Sequence, residues 1–249
     1  MMRSIFTALA AITLFAAPAA AQDPKAFANV NFGFQGLKQD VTQTAEFPLY
    51  DETATWTAPH AVKGTPTIDF GGGYHLRRNF SVGVAYTVRS KHQRDVAVLA
   101  SVPSPIFTDT LRTASGGVTG LEHSEQAVHL QALWHVPVTV EFDVTLFAGP
   151  TFFRVKDELI DAVSVTEAGG DFSSVNVQDI GTSSQSHSAV GFNLGVDTRY
   201  MFMRAVGLGA MLRYSRGSVD LDNAPGTTPS QLSIDAGGLE IGAGLRFRF

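Results

Sequence analysis

The side chains best suited to catalysis in this sequence are serines and histidines, which lie side by side at two places. Ser186-His187-Ser188 and His123-Ser124 each put a hydroxyl beside an imidazole. That pairing activates a serine nucleophile when a carboxylate orients the histidine. Both places fall where loops are expected to meet strands, and Ser and His also serve turn geometry and solvation there. We therefore expect no catalytic residues.

Metal binding is the second chemistry to consider, and it requires ligands that converge on one point. His129 and His135 share one face of a predicted strand, but the six-residue separation spans about 20 Å. His123, Glu125 and His187 would have to meet at a loop mouth, which no spacing requires. The chain contains no cysteine, which excludes disulfides, thiolate sites and thiol catalysis. We expect no metal and no cofactor.

The segment 156–187 is the most acidic part of the chain. It holds a single cation, Lys156, and six carboxylates, which are Asp157, Glu158, Asp161, Glu167, Asp171 and Asp179. A solvated loop accounts for this composition. The alternative is weak binding of divalent cations, because carboxylate oxygens suit hard cations.

Strands must position all of these residues, because alternation of apolar and polar side chains recurs along the chain. In the segment 80–91, Val82, Val84 and Val88 alternate with small or polar residues. After the first residues, no run of 18 apolar positions occurs that would predict a membrane-spanning helix. Eight segments show the alternation, at about 26–37, 66–76, 80–91, 125–136, 140–153, 188–201, 206–216 and 234–249.

The connections between these segments alternate in length. Those near 77–79, 137–139 and 202–205 are short. The long ones lie near 38–65, 92–124, 154–187 and 217–233, and they are rich in Gly, Ser, Thr and Pro. Short turns at one end and long loops at the other are typical of an outer-membrane barrel. We predict an all-β fold, an eight-stranded antiparallel transmembrane β barrel.

One long connection leaves the strand number open. It contains the apolar run Val96–Val102, whose even-numbered residues continue the alternation of the segment 80–91. The strand could project beyond the membrane as a ribbon, or the run could line a hydrophobic entrance. A further hairpin here would give ten strands instead of eight.

The two faces of the strands differ in the way a small barrel requires. One face is apolar, and the other carries small residues with a few charges of both signs, which suits a narrow lumen. Because an unpaired charge is costly in such an interior, we predict an ion-paired network there. Its members are Asp69, Arg89, Glu125, Glu141, Asp143, Asp197, Arg199, Arg213, Glu240, Arg246 and Arg248. The same alternation places His75, Lys91, His129 and His135 inward.

The N-terminal residues have the pattern of a secretory signal peptide. Arg3 precedes an apolar stretch, and Ala19-Ala20-Ala21 is a small-residue cleavage site. We predict a signal peptide over 1–21 and a barrel domain over 22–249. The formal charge of the 249 residues is −5, which argues against nucleic acid as a partner.

The C-terminal residues resemble the signal by which outer-membrane proteins reach the barrel-assembly machinery, with Gly244, Phe247 and Phe249 at matching positions. The predicted barrel is similar to the small OmpA-, OmpX- and OmpW-like barrels of the porin superfamily. The resemblance implies a monomer in the bacterial outer membrane, with lipid and lipopolysaccharide as neighbours.

Three functions are compatible with this prediction. The first is a non-enzymatic envelope or surface-interaction role with a mostly occluded lumen. The second is a passive channel for small solutes, including apolar ones that enter near Val96–Val102. The third is an outer-membrane enzyme that modifies lipids.

Overall fold

The computed structural model describes residues 25–36, 39–62, 64–170, 172–222 and 231–249. The predicted signal peptide over 1–21 lies outside them. Within the described ranges, no helix is long and apolar enough to cross a membrane. The strands are β1 (Ala26–Gly36), β2 (Gln39–Leu49), β3 (Glu52–Val62), β4 (Thr65–Arg77), β5 (Phe80–Arg89), β6 (His92–Pro103), β7 (Leu111–Pro137), β8 (Phe142–Ala168), β9 (Ser174–Met201), β10 (Val206–Asp222) and β11 (Gln231–Arg248).

Eight of these strands close into an antiparallel ring, in the order β1, β4, β5, β7, β8, β9, β10 and β11. Pairing of β1 with β11 completes the ring, as in the pair Val30 and Leu245. The prediction of an eight-stranded barrel is therefore confirmed. The ten-stranded alternative is wrong, because β2, β3 and β6 pair beyond the ring and contribute no strand to its wall.

The outer surface of the ring is an apolar band. Phe70, Tyr86, Val128, Phe152 and Val190 lie side by side on five successive strands and are exposed. In an aqueous protein such a row would be buried, but it suits contact with hydrocarbon. The band therefore marks the membrane-spanning part. We call the end with the short connections the turn end, and the opposite end the loop end.

The long connections were expected to be loops, but most of their length is strand. The strands β7, β8 and β9 have 27, 27 and 28 residues and run far past the apolar band. The hairpin of β2 and β3 pairs with β6, and β6 pairs with the start of β7. We call β2, β3, β6 and the loop-end parts of β7, β8 and β9 the loop-end layer.

The apolar run Val96–Val102 lies inside this layer. Val96, Val98, Ala100 and Val102 are buried against Trp56 and other side chains of the layer. Val88 pairs with Gln126 whereas His92 pairs with His123, so the register on β7 shifts by one residue between β5 and β6. The shift turns the even-numbered side chains of β6 inward. The strand does project as a ribbon with β7, but the run lines no open entrance.

An ion-pair cluster fixes the far tip of the layer. The guanidinium of Arg112 on β7 donates to both carboxylate oxygens of Glu167 on β8. Tyr50, in the turn between β2 and β3, donates to the same carboxylate at 2.8 Å. Hydrogen bonds from Arg112 hold the pKa of Glu167 below its ordinary value. The strands β7 and β8 and the turn between β2 and β3 are thus joined through one carboxylate.

Candidate functional site

In the lumen of the ring, strands from around the circumference bring charged side chains together, and Arg213 lies near the centre. This arginine is 1% exposed. Its Nη1 donates to Asp69 at 2.8 Å, to Thr87 at 2.7 Å and to Glu240 at 3.3 Å. Asn31 donates to the other oxygen of Asp69 at 2.9 Å. Two carboxylates therefore surround one guanidinium.

Strand register brings these groups together. Arg213 on β10 pairs with Glu240 on β11, and Asp69 on β4 pairs with Thr87 on β5 and Asn31 on β1. All of them occupy inward positions of the alternation, so the five strands meet across the lumen through their side chains. The barrel interior is thus cross-linked, as charges in a narrow interior require.

Further ion pairs lie above and below Arg213. Towards the loop end, Arg89 contacts Glu125 at 3.2 Å, and Glu125 also accepts from the backbone N–H of Gly237. Towards the turn end, Arg246 pairs with Asp197. Gly209 leaves room for this arginine, since a Cβ there would lie 2.6 Å from Arg246 Nε.

Asp143 takes part in two ion pairs at the turn end. Arg199 donates to it from Nε at 3.0 Å and from Nη2 at 2.9 Å, and Arg248 donates to it from Nη2. Together with the pairs above, ten of the eleven residues proposed for the lumen network form ion pairs on the inner side of the ring.

Glu141 does not join this network, so its expected lumen position is wrong. It is exposed in the turn between β7 and β8, with Thr139 as its side-chain hydrogen-bond partner. The strand β8 begins one residue later, at Phe142, and the turn releases Glu141 from the alternation. Lys91 is likewise exposed and pairs with Glu122, because it lies at the register shift between β5 and β6.

Little free space remains between these layers. Phe27, Leu133, Phe147 and Met211 form a buried apolar cluster below Arg213. The space beside this cluster has a volume of about 20 Å³, close to that of one water molecule. Around Arg89, Glu125 and Glu240 the interior leaves no volume for a water. The lumen is filled along this length.

The histidines are hydrogen-bonded inside the ring. His129 contacts Thr151 at 2.8 Å and Thr87 at 3.2 Å. Ser81 lies between His75 and His135, with its Oγ 2.7 Å and 2.8 Å from the two rings. Sequence reasoning missed this Ser81 group, because β4, β5 and β7 bring together residues far apart in the chain. Strand alternation was the signal available, since all three residues point inward.

The Ser/His and metal-ligand groups considered from the sequence have other neighbours in the structure. His123 contacts Asp157, Glu125 contacts Arg89, and His187 pairs across strands with Val155. In the described part of the chain, no group of three His, Asp or Glu side chains is arranged to hold a metal ion. Among the carboxylates of the segment 156–187, Asp157 and Glu167 are engaged by arginines within the layer.

A buried polar cluster lies where the ring meets the loop-end layer. Arg94 on β6 pairs with Asp157 on β8, which also contacts His123 at 3.2 Å. Nearby, His60 Nε2 lies 2.7 Å from Gln43 Oε1, and Gln43 also bonds the backbone of Ile160. Burial, together with the charge of Arg94, lowers the pKa of His60 from 6.5 to about 4. His60 is therefore neutral at pH 7.

The family profile for the outer membrane protein beta-barrel domain matches residues 7–247. The chain belongs to this family. Membership agrees with the closed ring and its apolar band, and it places the barrel in the bacterial outer membrane. By the rule for such barrels, the turn end faces the periplasm and the loop end faces the exterior. No curated protein sequence matches the barrel.

Solved structures similar to the barrel are outer-membrane proteins of different kinds. The N-terminal β-barrel domain of Pseudomonas aeruginosa OprF is 14% identical over 92% of this chain and 100% of its own, with a TM-score of 0.40. OprG from Pseudomonas aeruginosa is 11% identical over 92% and 97%, with a TM-score of 0.46. The outer membrane protease OmpT from Escherichia coli is 9% identical over 93% and 99%, also with a TM-score of 0.46. At these values the likeness concerns the fold alone.

Proposed function

We propose that this barrel is a non-enzymatic outer-membrane protein whose lumen is closed and whose loop-end layer acts at the cell surface, in an envelope or surface-interaction role. One observation carries the proposal: the lumen is filled by ion pairs and apolar side chains along the membrane-spanning ring. A pathway for solutes would have to displace the Arg213 group and the apolar cluster at Phe147 together.

The loop-end layer supports the surface role because it is built as a folded unit. Its buried apolar cluster joins β2, β3, β6, β7, β8 and β9, with Trp56, Leu121 and Ile160 among its members. A layer packed in this way presents fixed side chains to the exterior, whereas mobile loops would pay an ordering cost on binding.

A non-enzymatic role is supported by the burial of Ser81. A serine nucleophile must contact its substrate. Ser81 is 0% exposed, although it has two imidazole neighbours. The solute-channel alternative loses the feature on which it rested, since the run Val96–Val102 is packed inside the layer.

The partners follow from the same surfaces. We propose that the apolar band contacts outer-membrane lipid and lipopolysaccharide, and that the barrel is a monomer. We also propose that Gly244, Phe247 and Phe249 are read by the barrel-assembly machinery during biogenesis.

Conductance in planar lipid bilayers tests the closed lumen. We expect no steady openings from the full-length barrel, while an open porin reconstituted in the same way serves as the positive control. A second protein, in which residues 92–124 are replaced by a short Gly/Ser turn, reports on the ring without β6 and the loop-end part of β7. Steady openings of the full-length barrel that persist in this variant would show that the lumen conducts and would overturn the proposal.

A further inference from the structure

A wide cavity opens at the turn end of the ring, and its charge is strongly unbalanced. We call it the vestibule. Its volume is about 770 Å³, and five cations line it, which are Lys25, Arg77, Arg78, Arg199 and Arg248. Asp143 is the one carboxylate among the lining residues that the structure describes.

The floor of the vestibule holds part of the excess positive charge. Arg199 and Arg248 both donate to Asp143, so two guanidiniums share one carboxylate. Arg199 and Asp143 are buried, where water screens charge poorly. A second anion near this pair would therefore be attracted more strongly than one at an open surface.

The rim holds the remaining cations. Arg77 and Arg78 are exposed in and beside the turn that joins β4 to β5, and Lys25 is exposed just before β1. In the described ranges of the chain, none of the three takes part in an ion pair or a side-chain hydrogen bond that would neutralise it. They are free to turn towards a ligand in the cavity.

The vestibule is a blind pocket on the barrel axis. The lumen closes above it at Phe27, Leu133 and Phe147, so a ligand that enters from the turn end stops there. Its floor residues occupy inward positions, whereas their strand neighbours Trp134 and Tyr200 are exposed on the lipid-facing side. Access is therefore from the periplasm and not from the bilayer.

We propose that the vestibule binds a soluble, multiply charged oxyanion of the phosphate type that enters from the periplasm. Arginine suits this ligand because its planar guanidinium donates in pairs to phosphate oxygens. Arg199 and Arg248 provide the fixed charge at the floor, and Arg77 and Arg78 close over the anion from the rim. The blind end makes the vestibule a binding site and not a route.

Calorimetric titration of the purified barrel with inorganic pyrophosphate tests the proposal, in nanodiscs of phosphatidylcholine at low salt. We expect saturable binding. The double variant Arg77→Gln/Arg78→Gln should bind several-fold more weakly, up to about 25-fold, since each exposed ion pair is worth up to roughly fivefold. Arg204→Gln is the matched control: this arginine is exposed in another turn at the same end and does not line the vestibule. Its affinity should equal that of the wild type.

The proposal would be overturned by the absence of saturable binding to the wild type, and equally by unchanged binding to the double variant. A gel shift on heating shows that each variant is folded. Nanodiscs that contain phosphatidylglycerol distinguish a lipid headgroup from a soluble anion. Unchanged pyrophosphate affinity supports the soluble ligand, whereas its loss through competition would assign the site to lipid. The blind end of the vestibule rests on the closed lumen of the proposed function, which conductance tests separately from anion binding.

Discussion

Asp143 forms ion pairs with two arginines at the turn end of the lumen, while Glu141, two residues earlier, lies outside this network. The contrast comes from the start of β8, since Asp143 lies on the inner face of the strand and Glu141 lies in the preceding turn. Two carboxylates that look equivalent in sequence therefore differ in the free energy that they contribute. The buried one holds Arg199 and Arg248 in place, and the exposed one is solvated.

Asp143→Asn is expected to destabilise the barrel. Removing one partner of a buried ion pair costs about 3–5 kcal/mol, because the remaining charge stays buried. The temperature at which the folded band disappears on gels should fall by several degrees. Glu141→Gln, the matched control, should leave that temperature unchanged. Equal shifts in the two variants would contradict the assignment of the ion pairs.

The strand β6 shows how a one-residue change in register alters the role of an element. On β5 the even-numbered residues Val82 and Val84 face lipid, whereas on β6 Val96 and Val98 are buried in the loop-end layer. The break at Ser90 and Lys91 separates the two strands, and both pair with β7. The same alternation therefore serves the membrane surface on one strand and a protein core on the next.

Trp56→Ala should loosen the loop-end layer without unfolding the ring. Trp56 is 3% exposed, and removing a buried aromatic side chain costs about 3–5 kcal/mol. We expect faster cleavage within residues 92–110 when intact cells are treated with protease, with the gel shift of the ring on heating retained. Leu99→Ala is the control, since Leu99 is 51% exposed on the same layer. Cleavage at the wild-type rate in Trp56→Ala would show that the layer does not depend on this core.

The barrel as a whole joins three environments along one axis. An open basic vestibule lies at the turn end, a filled lumen lies within the apolar band, and a packed layer covers the loop end. Closure of the ring makes this order of environments possible, because every strand of the ring pairs on both sides. The vestibule and the filled lumen are therefore held in place by the backbone hydrogen bonds of the ring, and the layer is held by the further pairings of β2, β3 and β6.

Cysteine labelling tests the orientation that follows from family membership. The chain has no cysteine of its own, so single substitutions give unambiguous signals. Thr108→Cys, at the exposed turn between β6 and β7, should react with a membrane-impermeant maleimide on intact cells. Arg204→Cys, at the turn end, should react only after the outer membrane is permeabilised. The reverse labelling pattern would show that the barrel has the opposite orientation in the membrane.

The number and place of the ring strands could be predicted from the sequence, as could the inward side of Asp69, Arg213 and Arg246. These follow from local alternation, which fixes the face of each residue once a strand is assumed. The group of Ser81 with His75 and His135 could not be predicted as a contact. Alternation predicts whether a side chain faces the lumen or the lipid. It does not predict the position of that side chain along the barrel axis relative to residues on other strands.

The sequence by itself determined that this chain forms an outer-membrane β barrel and favoured eight strands, because a period of two and the lengths of the connections are local properties. Only the tertiary structure decided that the long connections fold into a layer, that Glu141 lies outside the lumen, and that Arg199 and Arg248 share one carboxylate. Those outcomes depend on the register between strands and on the residue at which each strand begins. A shift of one residue reverses the face of every side chain that follows.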